Sequence, residues 1–268
     1  MELLPQITET LVQIRAKKPL VHHLTNYVTA NDSANITLAI GASPVMTSDI
    51  SEVADMVVHA AAVVLNIGTL TAATVDAMVV AGQKAAALGR PVLLDPVGAG
   101  ATPARTAAAE RIMREVRPAI IRGNMSEIKT LAGLAVAIRG VDSLADAVGG
   151  EEVAQTLAAR LGCVVAVTGA TDIVAGGGRL CRIANGHPLL ASVTGTGCMA
   201  SSLIGCCAGV AGDSFLATVT GLTAMGVAGE LAYESLQPGE GSGTFRVRLI
   251  DAVSNLDPDI VSHRARLK

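Results

Sequence analysis

At 268 residues the chain is long enough for one large α/β domain or two modest ones, and length alone does not choose between them. Hydrophobic residues make up 50% of it and charged residues only 16%, against roughly 25% in an average globular chain, so little charge is left to cover a surface and a buried subunit interface is expected. The net charge of −3 excludes a broad electrostatic grip on nucleic acid.

The N-terminal stretch MELLPQITETLVQIRAKK has helical periodicity with its acids early and its bases late, the polarity a helix dipole favours. It does not read as a signal peptide, which points to the cytoplasm. Short apolar runs rich in Val, Ile and Leu then recur: SPVM (43–46), AVVLNIG (62–68), PVLLDPVG (91–98), AIIRGN (119–124) and CVVAVTG (163–169). Between them, residues 51–60, 71–88, 102–116 and 143–161 have helical length and period. Strands that are apolar throughout, alternating with helices, indicate a parallel sheet covered on both faces. Residues 56–75 carry no Asp, Glu, Lys or Arg, yet His59, Asn66, Gly68, Thr69 and Thr71 interrupt them, and they split into a helical half and a β-rich half. They read as core and not as a membrane span.

At Asp172 the pattern changes: DIVAGGG is followed at once by RLCRIANG, with no room for a crossover helix, so an antiparallel hairpin is expected at one sheet edge. From residue 198 the chain reads as almost wholly helical to about 232, and again around 249–254. No linker, internal repeat or low-complexity tract is present. The expected architecture is one domain over 1–268, a three-layer, doubly wound and mostly parallel sheet with helices on both faces and an antiparallel edge hairpin.

Open parallel sheets bind ligands beyond the carboxyl ends of their strands. The polar and small residues there, in order, are Asn26, Met46, Gly68, Asp95, Asn124 with Glu127, Thr168 with Gly169, and 194–198, TGTGC. They converge on one expected site. In TGTGCMA, two glycines let the backbone approach a ligand closely, and a following helix start favours an anion. Cys198 there is part of an anion site, a nucleophile, or an inert packed sulfur. Gly195, Gly197 and Ala200 also satisfy G-x-G-x-x-A, but late in the chain and with helix following instead of a second strand. Asp95 ends a clean strand, either as a turn former or as a metal ligand. Asn124 and Glu127 have the spacing of a capping box, which leaves Glu127 free to face the crevice. Asp95 and Glu127 together offer hard oxygen to Mg²⁺, which binds through one or two carboxylates plus water and phosphate. Arg122 suits a phosphate clamp, and Thr168 with Gly169 offers a hydroxyl and an amide. These are the parts for phosphoryl transfer from a magnesium nucleotide. The chain has five cysteines; no C-x-x-C and no nearby His pair makes a zinc site, and those other than Cys198 read as buried and reduced.

The segments HHLTNYVTANDSANITLAIGASPVMTSD, LNIGTL, LLDPVGAGAT, RGNMSEI, VAVTGATDIV, SVTGTGCMASSLI and GSGTFRVRLIDAVSNL closely resemble the hydroxyethylthiazole kinase family of the ribokinase-like superfamily, over essentially the whole chain. The resemblance implies ATP-dependent phosphorylation of the hydroxyl of 4-methyl-5-(2-hydroxyethyl)thiazole in thiamine salvage, with Mg²⁺. It also implies a homotrimer with sites between subunits, and no membrane or nucleic-acid partner. By motif it makes Cys198 the catalytic residue, where most ribokinase-like enzymes place an Asp. It assigns Arg122, Thr168, Asn124 and Gly197 to the nucleotide, Asp95 and Glu127 to the metal, and Met46, Gly195, Asn26 and Gly68 to the thiazole. A free thiol ionises near pH 8.5, and a helix start is expected to lower that value at Cys198. The rival readings are a cysteine hydrolase, which needs a histidine oriented towards the thiol, a nicotinamide-binding oxidoreductase, and a related hydroxymethylpyrimidine kinase.

Overall fold

The computed structural model describes residues 3–134 and 145–268. Leu3–Lys17 forms helix α1, and the chain then alternates: β1 (Leu20–Leu24), α2 (Ala30–Ile40), β2 (Ser43–Met46), α3 (Val53–His59), β3 (Ala62–Asn66), α4 (Ala72–Ala87), β4 (Val92–Asp95), α5 (Pro103–Val116) and β5 (Ile120–Asn124). There follow α6 (Met125–Leu131), α7 (Ala145–Leu161), β6 (Val164–Thr168), β7 (Asp172–Gly176) and β8 (Arg179–Ile183). A 3₁₀ turn at Pro188–Ser192 leads into α8 (Thr196–Ala211), α9 (Ser214–Glu234), α10 (Ser242–Ser254) and α11 (Pro258–Arg264). The first two residues of the helix expected at 143–161 and Met1 and Glu2 of the N-terminal reading lie outside the described residues.

Among the described residues the strands form one eight-stranded sheet in the order β2-β1-β3-β4-β5-β6-β7-β8. Pairs from β2 to β6 are parallel, and β6, β7 and β8 run antiparallel as the edge hairpin. Alternation along each strand feeds two cores. Val21, Val64, Leu93, Ile120 and Ala166 pack with Ile7, Ile36, Leu203 and Phe215. Val63, Leu65, Leu94, Ile121 and Val165 pack with Met78, Ile112 and Leu157 on the opposite face. That is why the runs read as apolar throughout: neither face is solvated.

The long C-terminal helical reading divides at Gly212, which is left-handed (φ 66), with Asp213 capping α9 through the Phe215 N–H. Similarly, α10 begins at Ser242, seven residues before the expected 249. Helix α2 and strand β1 carry polar residues around them that hide their period: Thr25 and Asn26 serve the site, Asp32 pairs with Arg246, and Asn35 bonds Asn31 at the surface. Helix α9 is long and apolar enough to cross a membrane by length and composition, but 89% of that span is buried inside this fold.

Candidate active site

Parallel pairing places Asn66 beside Asp95 and Asn124 beside Thr168, each closing its strand at the same sheet edge. Helix α8 starts over these ends. Gly195 holds φ +90 at its N-cap, where a Cβ would lie 2.8 Å from Thr29 Cγ2, so a left-handed turn and a close approach both require glycine. No side chain caps this helix, whereas Thr71, Thr102 and Asn124 cap α4, α5 and α6. The first-turn amides of α8 are therefore available to an anion.

Cys198 sits in that first turn with its thiol half-buried, and the other four cysteines are buried and free. Its sulfur accepts from two amides, Asn66 Nδ2 at 3.2 Å and Asn26 Nδ2 at 3.4 Å. Neither partner is a histidine, which removes the geometry a cysteine hydrolase needs. The expected lowering of the thiol is overturned. Burial and the nearby Asp95 charge push Cys198 above its ordinary value, and the bonds from Asn26 and Asn66 only partly offset them.

Asp95 is wholly buried, and its Oδ2 accepts from Asn66 Nδ2 (2.9 Å) and Ser201 Oγ (2.8 Å), with Arg122 Nη1 at 3.8 Å. Burial pushes its carboxyl up, against Arg122, Ser201 and Asn66. Glu127 accepts from the Gly98 N–H and the Asn124 N–H, both at 2.8 Å, and is also pushed up, by burial and then by Asp95. Asp95 Oδ1 is buried without a protein partner. A cation would reverse the penalty on both carboxylates, so this pair fits a hard divalent ion. Among the described residues no group of three or more His, Cys, Asp or Glu side chains gathers to cage a metal, so such an ion would depend on water and phosphate oxygens.

Arg122 is the hub of the anion side. It donates to Thr168 Oγ1 at 2.7 Å, and its guanidinium lies against Gly197 so closely that a Cβ there would be 2.8 Å from Nη1. The Thr168 hydroxyl is thus engaged by Arg122, and it donates weakly to the Gly123 carbonyl (3.3 Å). Asn124 does form the capping box: its Oδ1 accepts the Glu127 N–H at 2.9 Å. Asp172, just beyond, accepts the Gly169 N–H at 3.0 Å, and burial pushes its carboxyl up to about 6 against that bond and Arg122.

Beside this cluster opens a cavity of about 350 Å³ walled by His23, Tyr27, Met46, Asn66, Thr69 and Met78 among others. Met46 faces it. Asn26, Gly68 and Gly195 are not in its wall: Gly68 packs on the Asn26 amide, and its N–H bonds Asn66 Oδ1 at 2.9 Å. Sequence reading missed Asn66, Ser201, Thr29, Asp172 and Arg105, whose guanidinium bonds the Ile67, Gly68 and Val97 carbonyls and ties the loops after β3 and β4 together. Asn66 alone had a signal, a polar residue closing an apolar strand.

The model of the hydroxyethylthiazole kinase family matches residues 11–259. The chain is 52% identical over 268 residues to a protein named hydroxyethylthiazole kinase from Alkaliphilus oremlandii, covering 100% of this chain and 99% of that one. It is 47% identical over 258 residues to one of the same name from Methanocella arvoryzae, covering 96% of each. A solved structure of hydroxyethylthiazole kinase protein from Pyrococcus horikoshii superposes with a TM-score of 0.89 at 38% identity, covering 98% of both chains. The ADP complex of Bacillus subtilis pyridoxal kinase matches with a TM-score of 0.58 at 14% identity over 83% of this chain and 94% of that one, a likeness of ribokinase-like fold alone.

Proposed function

The chain belongs to the hydroxyethylthiazole kinase family, and from that premise we propose that it transfers the γ-phosphoryl group of ATP to the hydroxyl of 4-methyl-5-(2-hydroxyethyl)thiazole, a step of thiamine salvage. One observation carries the reading. A half-buried thiol bonds Asn66, a residue of the wall of the Met46 cavity, and follows directly on Gly197, against which the Arg122 guanidinium lies at the uncapped start of α8. An alcohol in the cavity and a phosphate in the cradle would meet at Cys198.

In this scheme Cys198 is the catalytic residue: its sulfur orients the substrate hydroxyl and, once ionised, takes its proton. Arg122 and the Gly197 amide receive charge on the transferred group, while Thr168 holds the guanidinium in place. The capping at Asn124 sets Glu127 on the nucleotide side. Met46 presents a soft, polarisable wall to a sulfur heterocycle. Mg²⁺, held by Asp95 and Glu127, would supply neutralisation of the phosphate charge. A homotrimer in the cytoplasm belongs to the same proposal. Tyr27, 82% exposed, and Val28, 55% exposed, stand beside Asn26 as apolar surface that a second subunit would cover.

The test is ADP release with ATP and Mg²⁺ in the presence of the thiazole alcohol, a hydroxymethylpyrimidine, or pyridoxal. Turnover should depend on the thiazole; a clear preference for either of the others would sink the assignment.

Asp172 makes a pH prediction. Its carboxyl ionises as pH rises through about 6, which places a negative charge near Arg122 and the bound phosphates. The KM for ATP of the wild type, divided by that of Asp172→Asn, should therefore climb as pH rises through about 6. A ratio that stays flat would separate Asp172 from the nucleotide. Taking the ratio cancels the protonation of ATP itself.

A further inference from the structure

The amides that face Cys198 are not free to turn. Asn66 Oδ1 accepts the Gly68 N–H (2.9 Å) and Asn26 Nδ2 (2.9 Å), and Asn26 Oδ1 accepts the Thr29 N–H (3.0 Å). A backbone N–H can only donate, so it fixes each carbonyl oxygen, and each amide nitrogen is thereby aimed at the sulfur. Asn66 is 2% exposed and Asn26 4%. The two hydrogens on Asn66 Nδ2 have separate destinations, Cys198 Sγ and Asp95 Oδ2, so one side chain stands between the thiol and the buried carboxylate.

We propose that Asn66, seconded by Asn26, is a positioning residue for the reaction. Its amide occupies the inner side of the Cys198 sulfur and directs the remaining side at the substrate hydroxyl. Its side chain also forms part of the cavity wall, but its effect on the reaction runs through the Cys198 sulfur. The assignment rests on the kinase reading only in giving Cys198 a role in turnover.

The decisive substitution is Asn66→Asp, which keeps the oxygen that accepts the Gly68 N–H and exchanges the donating nitrogen for an oxygen. Two readouts are needed. In the first, kcat at saturating substrates falls about tenfold or more in the wild-type background, the size expected for a lost hydrogen bond to a group that carries charge, with the KM for ATP little changed. In Cys198→Ala the same substitution costs clearly less, because only the disturbed contact with Asp95 remains and the group it aims is gone. Equal losses in both backgrounds would overturn the proposal and leave Asn66 a merely structural residue.

The second readout needs no substrate. Alkylation of Cys198 by iodoacetamide, followed on its peptide by mass spectrometry, should slow about tenfold in Asn66→Asp, because the amide that favours the thiolate is lost. An unchanged rate would equally overturn the assignment. A wild type that turns over no thiazole would sink the kinase reading, and the alkylation rate would still decide the role of Asn66. Should Asn66→Asp fail to fold, Asn26→Asp serves, since it too keeps the accepting oxygen, for Thr29 N–H, and loses the donor. The same non-additivity with Cys198→Ala and the same slowing are then expected, and their absence counts against the proposal.

Discussion

Cys198→Ala is expected to lower kcat about 10²-fold at neutral pH, the low end of the roughly 10²- to 10⁴-fold range for a general base, and the loss should widen as pH rises. The reason is the direction in which the thiol is shifted. Burial and Asp95 hold it above its ordinary value, so at neutral pH only a small fraction of the wild type is ionised. Wild-type kcat should then climb about tenfold per pH unit through the alkaline range, whereas Cys198→Ala, lacking the base, stays nearly flat. Nucleotide affinity should hold, because Arg122, Thr168 and the α8 amides are untouched. Parallel pH profiles for the two proteins would show that Cys198 is not the proton acceptor. Cys198→Asp refines the test: a carboxylate would accept from the same two amides, and it is ionised at neutral pH unless the Asp95 charge holds it back. It should remain active with its alkaline rise abolished, and persistence of that rise would contradict the assignment.

A second large effect is expected far from the chemistry. Gly221→Val should destabilise the fold by about 3 kcal/mol, at the upper end of typical overpacking costs. A Cβ at Gly221 would lie 2.7 Å from the Ile204 Cα and N, so the obstacle is the backbone of α8 itself and no rotamer change relieves it. Helices α8 and α9 would have to separate, loosening the element that carries Cys198. A midpoint drop of about 10 °C follows for a chain of this size. Gly149 is the control: it lies inside α7, and a Cβ added there would meet nothing within 4 Å, so Gly149→Ala should stabilise by up to about 1 kcal/mol. Thermal melts of the three proteins decide it. Gly221→Val melting like the wild type would mean that the α8–α9 contact yields far more easily than its distances imply.

Much of the fold was legible because its rules are local. Each apolar run became a strand, the central ones buried on both faces and SPVM half-buried at the sheet edge, and DIVAGGG with RLCRIANG became the edge hairpin, since three consecutive glycines allow nothing longer between them. The break at Gly212 was less legible, because small apolar residues run on either side of it and only the glycine followed by the capping Asp213 marks the turn. In the candidate site, most residues closing strands were readable from position alone, Asn66 at the end of β3 being the one missed. What position could not supply was the division of labour among them. Thr168 reads as a phosphate ligand and binds Arg122; Gly68 reads as a pocket residue and instead makes room for the Asn26 amide.

The sequence by itself determined most of the strands and helices from residue 43 onward, the sheet edge at which polar residues gather, and the glycine turn before Cys198, because periodicity and turn chemistry act between near neighbours in the chain. Only the tertiary structure decided what Cys198 experiences. Its two amide partners come from 172 and 132 residues away, and the carboxylate that opposes its ionisation comes from β4. Near neighbours pointed to a lowered thiol through the helix start, but burial and the charge of Asp95 push it up, and both arise only when the sheet brings β1, β3, β4 and α8 together.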